Sequence, residues 1–224
     1  MTLDGLDLFL FDLAGTTVRD DGYVLAAFEG VARERGLQVE REWLRSRMGR
    51  SKSEVFSELL EQSGAPTGEA PALVDAFEGH LTQIYRASPI APTEGAQAAI
   101  AALEAADVRV GFTTGFPRVI TDRILAATGW SARLSVASDE VPRGRPAPDL
   151  IHAAMRTAGV VDPGRVGAAG DTPSDLVAAS RAGCGVVAGL GCGTHTLAEL
   201  GGHQHTHLAA GPLDLVAQLR GARP

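Results

Sequence analysis

Five short apolar runs, at residues 6–11, 108–112, 134–137, 166–169 and 185–188, constrain this chain most. Runs of that length and composition are what strands buried on both faces look like. The last four are separated by segments of helical period, "PRVITDRILAATG", "APDLIHAAMRTAG" and "SDLVAASRAG", and each segment ends in glycine, as helix C-termini often do. Strand alternating with helix predicts an α/β protein with a doubly wound, Rossmann-like parallel sheet of five or more strands. In such sheets ligands bind beyond the carboxyl ends of the strands.

The first connection departs from this rhythm. Roughly a hundred residues lie between Asp12 and Val108 where a parallel crossover needs about a dozen. They read as helices: "GYVLAAFEGVARERG", "EREWLRSRMG", "KSEVFSELLEQSG" and "ALVDAFEGHLTQIYRAS". The expectation is a helical cap domain, residues 19–92, inserted into a core made of 1–18 and 93–224. Leaving from the end of the first strand, it would sit over the site and open and close on it.

At 224 residues the chain is long enough for one core of this kind. Acidic residues outnumber basic ones, 27 to 20, and no Lys/Arg block stands out, which argues against a nucleic acid partner. No apolar run reaches the roughly 18 residues of a membrane span. Asp4 and Asp7 stand where a signal peptide would be basic, so the expectation is a cytoplasmic protein with no membrane partner. Cys184 and Cys192 flank the last strand pattern with neither zinc nor CxxC spacing, and read as packing or loop thiols. The string "HQHTH", carrying His203, His205 and His207, reads as a surface segment after the last core helix. A homodimer is compatible with the sequence, which does not decide it.

Chemistry-bearing residues recur at the ends of the strand patterns. "FDLAGTT", "GFTTG" and "AAGDTPSD" close the first, second and fourth, and "PRGRPAP" follows the third. Asp12, Asp171 and Asp175 together suit one Mg²⁺, a hard ion that prefers oxygen. Thr113, Thr114 and Gly115, with the amides of their loop, and Arg145 suit a phosphoryl group. Asp12 would then attack phosphorus and form an aspartyl-phosphate. Singly, each motif also reads as ordinary structure: a helix cap, a turn, and the capping pattern Thr172 to Asp175.

Together, and in this order, the motifs resemble those of the haloacid dehalogenase superfamily of phosphohydrolases over nearly the whole chain. The resemblance implies that Asp12 is the nucleophile, that the main-chain oxygen of Ala14 and Asp171 join it on Mg²⁺, and that Asp175 supports the metal shell. It also exposes a gap. Most phosphatases of the superfamily carry a second Asp two residues after the nucleophile, to protonate the leaving alkoxide, and this chain has Ala14. Such an acid contributes typically ~10²–10⁴ in rate.

The branch that this chain resembles in lacking that acid is phosphonoacetaldehyde hydrolase, or phosphonatase, which cleaves a carbon–phosphorus bond. "DLAGTT", the "TTG" at Thr113 to Gly115, Arg145 in "RGRPAP", and Met48-Gly49 followed at the proper interval by Lys52 all match its pattern. The resemblance implies that Lys52 condenses with an aldehyde substrate to form an imine that takes up electrons as phosphorus departs. Three positions depart from it: Val55 where phosphonatases have His, Phe116 where they have Tyr, and no Cys near Tyr23. The chain therefore resembles the neighbouring phosphonatase-like hydrolases. An alternative reading makes Lys52 and Gly49 a phosphate-binding loop of a phosphate monoester hydrolase; a remoter one is a non-catalytic relative that kept the fold. Arg47 or Arg50 would lower the proton affinity of Lys52 and Glu54 would raise it.

Overall fold

The structure, a computed structural model, describes residues 3–221. Six parallel strands, β1 (Leu8–Phe11), β2 (Arg109–Thr113), β3 (Leu134–Val136), β4 (Val166–Gly170), β5 (Val186–Leu190) and β6 (His207–Ala209), form one sheet in the order β3-β2-β1-β4-β5-β6. The order reverses between β1 and β4, and a ligand crevice opens beyond the strand ends at such a reversal. Register fixes what stands there: Phe11 lies opposite Phe112 and Ala169, so Asp12, Thr113 and Gly170 emerge level with one another.

Strand β1 is buried on both faces, and its side chains divide by parity. Phe9 and Phe11 join one hydrophobic cluster with Phe112 and Trp130, whereas Leu8 and Leu10 join another with Leu150, Ile151 and Leu176. Ten helices follow in chain order. The connection from β1 to β2 carries α1 (Tyr23–Glu34), α2 (Arg41–Arg45), α3 (Lys52–Gln62), α4 (Ala70–Ala87) and α5 (Ala96–Glu104). The later connections carry α6 (Arg118–Thr128), α7 (Asp149–Ala158), α8 (Pro173–Ala182), α9 (Leu197–Leu200) and α10 (Pro212–Gly221).

Helices α1, α3 and α4 turn their apolar stripes on one another. Leu73, Phe77, Leu81 and Tyr85, spaced four apart along α4, are buried, and Phe77 packs 4.8 Å from the ring of Phe28 on α1 and 6.2 Å from that of Phe56 on α3. The two crossings between sheet and helices run side by side: Arg19 N–H donates to the Ala91 carbonyl at 3.0 Å and Thr93 N–H to the Thr17 carbonyl at 2.9 Å.

Six strands agree with the expected five or more, and the one that the apolar runs did not mark is β6. His207 belongs to edge strand β6, with α10 after it, so the histidine string is not a tail beyond the last core helix. Helix α5, on the sheet side of the second crossing, was also not anticipated. At three residues β6 is too short to show a period, and the Ala-rich α5 gives only a weak apolar stripe. Among the described residues no helix is long and apolar enough to cross a membrane.

Gly167 on β4 is required by Phe9. A Cβ at this position would lie 2.4 Å from the Phe9 ring. Gly167→Ala should therefore cost about 1–3 kcal/mol, read as a lower urea midpoint with an unchanged m-value. A midpoint equal to that of the parent would show that the ring moves aside freely.

Candidate active site

Main-chain pairing sets the position of Asp12. Its N–H donates to the Ala169 carbonyl at 2.9 Å, holding the residue against β4 just past the end of β1, and its side chain is buried. The guanidinium of Arg145, from the loop after β3, is 2% exposed and binds three acceptors. Its Nη2 donates to Asp12 Oδ1 and to the Thr113 carbonyl, each at 2.6 Å, and its Nη1 donates to Asp175. Asp175 also closes the head of α8, its Oδ2 accepting from Thr172 Oγ1 at 2.6 Å and from Thr172 N–H at 3.0 Å.

Asp171, fully buried at the end of β4, accepts from Thr16 Oγ1 at 3.0 Å and from the Thr194 N–H at 2.6 Å. Gly15 permits this closeness, since its φ is +83° and a Cβ there would lie 2.5 Å from Asp171 Oδ2. Three buried carboxyls thus face one guanidinium. Burial pushes Asp12 up to about 6 although Arg145 opposes it, and burial with repulsion from Asp12 and Asp175 pushes Asp171 up to about 7.

The helical insertion supplies the other wall. Gly49, with φ +80°, brings the loop before α3 so near the core that a Cβ would lie 2.3 Å from Thr172 Oγ1. Lys52, the first residue of α3, is thereby carried inward and buried. Its Nζ stands 4.7 Å from the centre of the Phe116 ring and 5.8 Å from those of Phe28 and Phe77. Its one hydrogen bond runs to the Arg50 carbonyl at 3.4 Å, and among the described residues it has no carboxylate at ion-pair distance. Burial lowers its amine to about 8, Arg145 adding to the fall while Asp12, Asp20 and Asp175 oppose it.

This corrects the expectation for the neighbouring charges. Arg47 and Arg50 are both drawn to Glu58, at 2.8 and 2.6 Å, and Glu54 lies 3.6 Å from Arg50. The guanidinium that lowers Lys52 is that of Arg145, and burial outweighs it.

Asp12, Ala14, Lys52, Thr114, Gly115 and Phe116 line one small cavity, together with Asp20 and Gly49. Thr113 does not belong to it. It lines a neighbouring hollow with Arg145 and Asp175, because alternation along β2 sends it to the other side. A larger hollow, lined by Glu104, Arg109, Arg133 and Thr157, lies at the opposite ends of β2 and β3 and contains none of these groups.

Among the described residues no three His, Cys, Asp or Glu side chains converge as metal ligands. Asp175, expected to support the metal shell, binds Arg145 and Thr172. The donors that do suit a hard cation are Asp12, Asp171 and the main-chain oxygen of Ala14, which accepts no hydrogen bond among the described residues. Two participants went unnoticed in the sequence: Thr16, which holds Asp171, and Asp20, which read only as the start of the insertion.

A buried carboxylate, a guanidinium and a cavity thus meet at the reversal of a parallel sheet, where Rossmann-like proteins bind their ligands. The chain belongs to the haloacid dehalogenase-like hydrolase family, whose profile matches residues 6–183. It is 30% identical over 194 residues to a phosphonoacetaldehyde hydrolase of Bacillus cereus, an alignment covering 80% of this chain and 73% of that protein. Its fold matches that of a hydrolase from Pseudomonas syringae with a TM-score of 0.87 at 22% identity, over 97% of this chain and 100% of that one. It also matches a phosphonoacetaldehyde hydrolase-like protein from Oleispira antarctica with a TM-score of 0.84 at 19% identity, over 100% and 97%.

The raised carboxyls predict an inverted pH dependence of stability. Folded Asp12 and Asp171 retain protons up to about 6 and 7, whereas the unfolded chain releases them near pH 4. In EDTA, stability should fall as pH rises from 4 to 7, by as much as about 1.4 kcal/mol per pH unit for each carboxyl. Urea midpoints across this range check the slope, which Asp171→Asn should flatten; an equal slope in the variant would assign it to other groups.

Proposed function

We propose that this protein cleaves the carbon–phosphorus bond of phosphonoacetaldehyde or a related small phosphonate bearing an aldehyde. The observation that carries the reading is Lys52: a buried amine, ringed by Phe28, Phe77 and Phe116, in the same cavity as Asp12 and, among the described residues, without a carboxylate at ion-pair distance. An amine condenses with a carbonyl only in its free-base form, and an amine lowered to about 8 supplies that form near neutral pH.

In this reading the Lys52 amine adds to the aldehyde carbon and water departs, leaving a protonated imine. A carboxylate oxygen of Asp12 then attacks phosphorus. The carbon–phosphorus bond breaks and its electron pair moves toward the imine nitrogen, giving an enamine, while water later hydrolyses phospho-Asp12. Arg145 holds Asp12 Oδ1, which presents the remaining oxygen, and Thr114 and Gly115 receive the phosphoryl oxygens. Asp12, Asp171 and the Ala14 carbonyl would hold Mg²⁺, which offsets the negative charge of the phosphoryl group and of these carboxylates. An electron-accepting imine makes a proton donor at position 14 unnecessary, because no alkoxide leaves.

The phosphate monoester reading keeps Asp12 but leaves the departing oxygen facing the Ala14 methyl. The non-catalytic reading gives no reason for burying three carboxyls around one guanidinium, an arrangement costly in desolvation.

Asp12→Asn should keep the fold and lower turnover at least a thousandfold in a phosphate-release assay; activity within tenfold of the parent would end the aspartyl-phosphate mechanism. Borohydride added during turnover should inactivate the enzyme and leave a mass increment on the peptide containing Lys52. Lys52→Arg keeps the charge without condensing, so it should lose nearly all carbon–phosphorus cleavage. An active Lys52→Arg enzyme with no trapped adduct would move the protein to the phosphate monoesterases.

A further inference from the structure

Imine formation needs proton transfers that Lys52 does not perform alone. The nitrogen must lose a proton after attack, and the carbonyl oxygen must gain two to leave as water. At the position where the sequence resemblance led one to expect a histidine, this chain has Val55, 1% exposed within the apolar interior of the insertion. Nor does another histidine reach the cavity. His80 pairs with Glu34 at 3.1 Å, and His195 lies among Arg45, Glu199 and Asp175.

The titratable side chains lining the cavity are Asp12, Asp20 and Lys52. Asp20 and Asp21 are neighbours with opposite fates. Asp21 turns outward and pairs with Arg19 at 2.9 Å. Asp20 turns inward at the head of α1, where its Oδ1 accepts the Val24 N–H at 3.1 Å, and among the described residues it forms no ion pair. Its carboxyl is therefore fixed in direction yet uncommitted to a cation. Lys52 and Asp12 line the same cavity; the hydroxyl of Tyr85 on α4, pushed up by burial and by the charge of Asp20, has no hydrogen-bond partner among the described residues.

We infer that Asp20 is a further catalytic residue, the proton carrier for condensation at Lys52, taking the place of the absent histidine; this rests on the imine reading above. The step balances as follows. The Lys52 nitrogen bonds to the carbonyl carbon, and Asp20 takes the proton from that nitrogen and delivers it to the new oxygen, giving a neutral carbinolamine. Asp20, reprotonated from solvent, then protonates the hydroxyl. Water leaves as the nitrogen lone pair closes the C=N⁺ bond, and Asp20 is left ionised. Burial favours the protonated carboxyl that this step requires, while the Val24 and Tyr23 amides and the Lys52 charge oppose it.

The test uses the full chain, phosphonoacetaldehyde and borohydride, with the rate of adduct formation on Lys52 as the readout. Asp20→Asn keeps the acceptor for Val24 and should slow trapping about 10²–10⁴-fold, with a matching loss in kcat and an unchanged melting temperature. Asp20→Ser preserves the helix cap by a different group and should show the same loss, and Asp20→Glu should recover part of it. Trapping within threefold of the parent in either Asn or Ser variant would overturn the role of Asp20. Absence of any adduct in the parent itself would instead overturn the imine reading on which it rests.

Discussion

The guanidinium of Arg145 is the contact on which the rest of the site depends. It binds Asp12, Asp175 and the Thr113 carbonyl at once, and so ties the ends of β1 and β2 to the head of α8 through a loop that follows β3. Removing one partner from a buried ionic cluster leaves an uncompensated charge, and typically costs about 3–5 kcal/mol. One cation against three carboxyls is still a deficit. Raised proton affinity at Asp12 and Asp171 offsets it in part.

Around that centre, close backbone approach does the positioning. Gly49 lets the insertion rest on Thr172, and Gly15 lets the first loop rest on Asp171. Arg45 of the short helix α2 reaches the core with a bidentate grip on Glu199, 2.9 Å to each oxygen, and also binds the Thr194 carbonyl at 3.0 Å. Thr194 offers its N–H to Asp171 in turn, so the loop after β5 connects the insertion to a carboxyl of the site. The seating of α2 on the core and the geometry of Asp171 are thereby linked through one short segment.

In the carbon–phosphorus reading proposed above, a methyl at Ala14 and an amine at Lys52 would belong to the same chemical choice. Where an oxygen leaves, a nearby acid helps it; where a carbon leaves, an electron sink must be built first. The insertion can deliver such a sink only if it packs tightly enough to strip water from an ammonium. Phe28 and Phe77, which also hold α1 and α4 together, stand over Lys52 from the insertion, and Phe116 stands closer still from the core.

Periodicity and punctuation along the chain were enough to predict the parallel sheet, the helices between its first two strands and the strand ends that Asp12 and Asp171 follow, because burial on two faces, helical stripes and terminal glycines are local signals. The three-residue β6 and the alanine-rich α5 escaped because they carry too little of that signal. The sequence also determined which chemical groups were available, including the absence of an acid at Ala14. What only tertiary structure decided was which of those groups meet. Thr114 lines the cavity and Thr113 does not, Arg145 rather than Arg47 or Arg50 acts on Lys52, and Asp20 turns inward while Asp21 pairs with Arg19. Such outcomes depend on distance and desolvation between segments far apart in the chain, and neither quantity is written in the order of its residues.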